Sequence, residues 1–174
     1  MDLITALGRL LLDGRLRDAF TAHPLGVAEQ LGVRSVDRPC LLAISIPDLE
    51  VQAEVLVRKR FDAIKRLLPV TLSRLEANGW SSFFRYARVQ WPEAAEREIQ
   101  DATEFCHYCA RENPAVICRS ELNRLNFALG KKRFAVHFAR DLQIRNRKRR
   151  GLQIFVRSRR SSSQWRESVL YLGL

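Results

Sequence analysis

In RFAVHFARDLQIRNRKRRGLQIFV, Arg133–Val156, the spacing of apolar residues changes. Upstream of it, apolar residues recur every three or four positions; inside it they recur every two. Phe134, Val136 and Phe138 alternate with Ala135, His137 and Ala139, and Leu152, Ile154 and Val156 alternate with Gln153, Phe155 and Arg157. A period of two puts successive side chains on opposite faces of a β-strand. Between the runs lies RNRKRRG, Arg145–Gly151, in which Asn146 and Gly151 suit a hairpin loop. Val169–Leu172 makes a third short run. The pattern predicts a three-stranded antiparallel meander in residues 131–174.

Residues 1–130 read as helical almost throughout, with about six to eight helices. Leu3, Leu7, Leu10 and Leu11 repeat at helical spacing, and Gly14 offers a stop. The strongest helix runs from about Pro47 to Leu68. Its stripe of Leu49, Ala53, Leu56, Val57, Phe61, Ile64 and Leu68 keeps spacings of three and four. Further helices follow over Val70–Glu76, Trp80–Ala87, Pro92 to about Arg111, and Pro114–Leu129. No repeat of 20–50 residues is visible. The fold class expected is α+β, a helical body (1–130) followed by a basic antiparallel sheet (131–174).

Charge follows the same division. Residues 131–174 hold 13 Lys/Arg and 2 Asp/Glu, so the whole net charge of +11 resides there, while 1–130 is balanced at 17 against 17. A cationic end attracts polyanions or acidic peptides by long-range steering. The start, MDLITALGRLLLDGR, is interrupted by Arg9, Asp13 and Arg15 and lacks the pattern of a signal peptide. No apolar run approaches the ~20 residues that span a bilayer. A cytoplasmic protein without membrane contact is expected, with Cys40, Cys106, Cys109 and Cys118 reduced.

Three local patterns invite other readings. GVAEQLGVRSVDRPCLLAI, residues 26–44, mimics a helix-turn-helix, but Arg38 stands at an aliphatic position. Pro39 would fall inside the reading helix, at a cost of ~3 kcal/mol or more. Two short packing helices are the better reading. CHYC, Cys106–Cys109, with Cys118 nine residues on, resembles a metal pair. The pair lies within a predicted helix, however, and His107 points roughly 100° away from Cys106. Buried inert thiols are favoured, and no metal site is assigned. His23, His107 and His137 are scattered, and neither a nucleophile elbow nor a Gly-rich phosphate loop occurs. No catalytic residue is assigned either.

The middle of the chain carries a resemblance. LVRKRFDAIKRLLPVTLSRL (56–75), SSFFRYA (81–87) and DATEFCHYC (101–109), with the RFAVH strand (133–137), the basic turn and the Tyr171–Leu174 finish, are similar to a group of bacterial peptide-modification proteins. These are the small partner subunits of DUF692-type multinuclear iron-dependent oxidases. Methanobactin biosynthesis supplies the most similar pattern and the 3-thiaglutamate pathway a near rival.

The resemblance implies a non-catalytic subunit without a cofactor of its own, the iron lying in the larger partner. That partner oxidises cysteines of a ribosomally made precursor peptide, in the methanobactin case to an oxazolone and a thioamide. The small subunit would bind the leader and present the core peptide.

The predicted sheet offers a physical route to leader binding. An edge strand carries unpaired N–H and C=O groups on which a peptide can add as a further strand. Roughly four to six new hydrogen bonds at ~0.5–1.5 kcal/mol each would supply affinity. The final strand, Val169, Leu170, Tyr171 and Leu172, is the first edge candidate, and Phe134–Ala139 is the second. Arg147, Lys148, Arg149 and Arg150 would steer an acidic leader. Trp80, Phe83, Phe84 and Trp91 are the candidate anchors for the oxidase. The alternative is a nucleic-acid-binding module that uses the cationic sheet with Phe134, Phe138 and Phe155 as stacking platforms.

Overall fold

A computed structural model describes residues 1–92, 96–130, 132–144, 147–157 and 165–171, and of 141, 143, 144, 148 and 171 the backbone alone. Among the described residues, helices fill the chain to Leu129 and a three-stranded antiparallel sheet follows, the α+β order that the change of period predicts. The helices are α1 Leu3–Leu12, α2 Gly14–Ala22, α3 Pro24–Gln30, α4 Arg38–Leu42, α5 Ile46–Leu67, α6 Pro69–Leu75, α7 Asn78–Ala87, α8 Arg97–Glu112 and α9 Arg119–Leu129. The strands are β1 Phe134–Ile144, β2 Arg147–Arg157 and β3 Trp165–Tyr171, in the order β1-β2-β3. By compactness the chain forms two units, Met1–Asp62 with Ser81–Trp91, and Ala63–Trp80 with Pro92–Leu174. The sheet thus shares its unit with α6, α8 and α9.

In the first unit, Leu10, Phe20, Val27, Val33, Leu41 and Leu49 form the buried core. Gly14 is no stop. Asp13 ends α1, and its carboxylate accepts the N–H groups of Arg15 and Leu16 to open α2. The glycine is needed because its N–H donates to Arg88 O at 2.8 Å, and a Cβ there would meet that same oxygen at 2.8 Å. Buried Arg17 donates to Leu10 O (2.8 Å) and Leu11 O (2.9 Å), satisfying orphan carbonyls at the end of α1. α4 is only five residues long with Pro39 in its first turn, where a missing N–H costs nothing. So short a helix cannot serve as a reading helix.

Residues that carry the family resemblance turn out to build cores. Arg60 donates to Ala87 O (3.3 Å) at the end of α7 and to Gln90 O (2.9 Å) beyond it, and its guanidinium lies 4.7 Å from the Trp91 ring centroid. Phe83 and Tyr86 pack beside it in the buried interior.

In the second unit the Leu-Pro-x-Thr segment opens α6. Its N-terminal N–H groups, Val70 (2.7 Å) and Thr71 (3.0 Å), donate to the buried carboxylate of Glu121, as does the Thr71 hydroxyl (2.7 Å). A distant side chain therefore caps the helix and holds α9 to α6. The expected Pro114–Leu129 helix is broken: Pro114–Val116 is a 3-10 turn, and α9 begins at Arg119. Cys118 between them is extended and spends its N–H on Thr71 Oγ1 at 3.0 Å. At the other end of α9, Arg157 of β2 donates to Phe127 O (2.7 Å), Ala128 O (3.2 Å) and Gly130 O (2.7 Å). One guanidinium so fastens the sheet to the last turn of the helix.

Candidate binding surfaces of the sheet

The ladder fixes which side chains share a face. Phe134 pairs with Val156 and that with Arg166; Val136 with Ile154 and Ser168; Phe138 with Leu152 and Leu170. The intervening rows are Ala135–Phe155–Glu167, His137–Gln153–Val169 and Ala139–Gly151–Tyr171. The second set faces α9. Gln153 is wholly buried there, its amide donating to Ser120 O (3.2 Å) and Glu167 Oε1 (2.9 Å) and its oxygen accepting from Asn123 Nδ2 (3.2 Å). Phe155 is also wholly buried, stacked on Phe127 at 5.0 Å with Trp165 edge-on at 5.8 Å.

The consequence is an open face more apolar than the covered one. Phe134, Val136, Phe138, Val156 and Leu170 are 45–60% exposed. Small or hydrogen-bonding residues occupy much of the inner rows, where Ala139 and Gly151 leave room for close packing. The large apolar residues fall on the outside by the period of two. An exposed apolar face of this kind is what interaction surfaces present.

The basic run is strand more than loop. Arg147–Gly151 belongs to β2, paired as Ile144–Arg147, Gln143–Lys148 and Leu142–Arg149. Gly151 is therefore not a loop glycine. A Cβ there would collide with Leu170 O of β3 and reach 3.0 Å from Leu142 Cδ1, so the position is restricted by neighbours and not by a turn. The ladder shifts between Ala139 and Leu142: Arg140 and Asp141 oppose the single residue Arg150, a β-bulge that limits regular edge backbone on β1 to Phe134–Ala139.

β3 is one edge of the sheet and β1 the other. The described ladder of β3 ends at Tyr171 opposite Gly151, next to exposed Arg150, with exposed Arg149 and Arg147 beyond it along β2. Strand end and cations, far apart in sequence, are thus brought to one end of the sheet. Leu170 faces out and Val169 borders a cavity of about 420 Å³ with Glu121, Arg124 and Glu167. Leu172 lies outside the described residues, and of Lys148 and Tyr171 only the backbone is placed.

The proposed oxidase anchors fare differently. Phe83 is wholly buried, 5.3 Å from Phe61 between ring centroids, and offers no surface. The aromatic run of α7 turns one ring inward at every helical turn, and Phe83 is on the inner side. Trp80, Phe84 and Trp91 are half-buried, Trp91 under the Arg60 guanidinium, and Trp80 belongs to the second unit while the others belong to the first.

Three of the four thiols are shielded by burial. Cys106, Cys109 and Cys118 are buried and Cys40 is exposed, and none of the four is in a disulfide. Burial pushes the Cys106 thiol far above its ordinary range, with the Glu121 carboxylate and the other two buried thiols adding to it. His107 points to solvent from α8, away from the pair. Among the described residues no three His, Cys, Asp or Glu side chains are grouped to hold a metal ion, and no helix is long and apolar enough to cross a membrane.

Sequence reasoning missed one feature altogether. A groove of about 950 Å³ runs beside β1, where His137, Phe138 and Arg140 meet Arg74 of α6, the 114–117 segment, and Arg119 and Asn123 of α9. α9 separates this groove from the smaller cavity, with Arg119 and Asn123 on one flank and Glu121 and Arg124 on the other. Its residues are dispersed over some 66 positions, from Arg74 to Arg140, and no local pattern links them. The chain matches no known family model, no curated protein and no solved structure.

Proposed function

We propose that the chain is a non-catalytic peptide-binding subunit that holds the leader of a ribosomally made precursor by strand addition and presents it to a DUF692-type iron-dependent oxidase. The observation that carries the reading is the sheet. It has two edge strands, an open apolar face, and cations gathered at the end where β3 stops. A peptide added to an edge gains backbone hydrogen bonds irrespective of its sequence, and neighbouring side chains supply selection. The resemblance in residues 56–75, 81–87 and 101–109 supports the choice of partner. Cys106, buried and held protonated, is a poor nucleophile in this setting.

Co-expression with a DUF692-type oxidase tests the reading. A stable complex should co-purify and bind the precursor, and the chain alone should leave the precursor unmodified. Modification by the chain alone, or failure of the two subunits to associate, refutes the proposal. Within it, neutralising Arg147, Lys148, Arg149 and Arg150 together should slow leader association, more at low salt than at high.

One observation favours a second reading. Phe134 and Phe138 stand exposed on the same face as Arg166 and Arg150, as a single-strand nucleic-acid platform requires. The remaining open-face neighbours, Val136, Leu152, Ile154, Val156, Ser168 and Leu170, carry no ring and offer no further stacking surface. Submicromolar binding to mixed single-stranded oligonucleotides, falling steeply with salt, would favour this reading over the first.

A further inference from the structure

The groove beside β1 has a definite chemistry. Arg74, Arg119 and Arg140 line it with His137 and Asn123, and no Asp or Glu is among its described lining residues. Two of these groups are held in place. Arg74 Nη1 donates to Ile117 O at 2.8 Å, and Asn123 Nδ2 donates to Gln153 Oε1 at 3.2 Å. Arg140 sits at the β-bulge, where an extra residue alters the strand's course, and it borders the same groove as His137. Guanidinium groups in such an arrangement recognise carboxylates by paired, charge-assisted hydrogen bonds. At about 950 Å³ the groove is at the upper end of pocket sizes, and it lies open along an edge strand. An extended chain fits that setting better than a small enclosed anion does.

We propose that this groove is a recognition site for the acidic side chains of an extended peptide segment laid along β1. The proposal rests on the peptide-binding reading above and narrows it to one edge and one chemistry. A strand added at Phe134–Ala139 would send alternate side chains toward the groove and toward the open apolar face. The preferred segment would therefore alternate acidic and apolar residues.

The test is fluorescence anisotropy with the full chain and two short synthetic peptides, one alternating Asp and Val, the other with Asn in place of every Asp. The Asp peptide should bind at least about tenfold more tightly at low salt, a difference of about 1.4 kcal/mol. The Arg119→Gln/Arg140→Gln variant should close that gap while its circular dichroism stays unchanged. If the double variant loses structure, Arg140→Gln alone, at an exposed position, should still narrow the gap. Equal binding of the two peptides overturns the groove and leaves strand addition standing. Binding of neither peptide overturns both. A preference that survives the variants, or displacement of the peptide by millimolar glutarate alone, overturns the assignment to a peptide's acidic residues.

Discussion

Replacing Phe138 and Phe155 separately by Ser tests which side of the sheet is covered. The two residues belong to facing strands and carry the same side chain, yet Phe138 is 50% exposed and Phe155 is 0% exposed. Full burial of a Phe side chain is worth ~1.5–3 kcal/mol, so a half-exposed ring contributes about 1 kcal/mol. Phe155→Ser removes a ring packed on Phe127 and Trp165 and leaves a cavity against α9. Such truncations cost about 3–5 kcal/mol. The expected gap between the variants is therefore about 2–4 kcal/mol. In urea, at a slope of ~2 kcal/mol per molar, the Phe155→Ser midpoint should fall about 1–2 M further than that of Phe138→Ser. Equal losses, or a larger loss for Phe138→Ser, would refute the face assignment and with it the open apolar surface on which the functional reading rests.

Other positions give independent checks. Glu121→Ala strips the N-terminus of α6 of three hydrogen bonds from Val70 and Thr71 and should cost about 3–5 kcal/mol in chemical denaturation; Glu121→Gln, which keeps an acceptor, should cost less. Of the four thiols, only Cys40 should react quickly with a disulfide reagent near neutral pH, and all four should react in denaturant. Rapid native-state labelling of Cys106 would contradict its burial beside Glu121. Gly151→Ala must push Leu170 O, and β3 with it, away from β2 and crowd Leu142, and should destabilise the protein by about 1–3 kcal/mol, read as a lower thermal midpoint. A neutral outcome there would mean that β3 packs less closely on β2 than described.

Much of the architecture was legible because it rests on period and breakers, which are local. The switch from a period of three or four to a period of two located the sheet, and the prolines and caps bounded most helices. Sequence and structure part where a distant partner takes over a local signal. Gly14 suggests a stop, but it is a contact point against Arg88 O. Pro114–Leu129 reads as one helix, but Thr71 takes the N–H of Cys118 and breaks it. Gly151 reads as part of a loop, yet it lies in a strand pressed against its neighbour.

The candidate sites show the same division. The α+β order, the concentration of charge in 131–174 and the existence of two edge strands follow from local residues alone, because composition and alternation are properties of short windows. Alternation says that two faces exist but not which one is covered. Only the packing of α9, through Gln153, Arg157 and the Phe127–Phe155 stack, decided that Phe134 and Phe138 face outward and Phe155 inward. The cationic groove was decided at that level too. Arg74, Arg119 and Arg140 belong to two helices and a bulged strand, and they converge only when those elements pack.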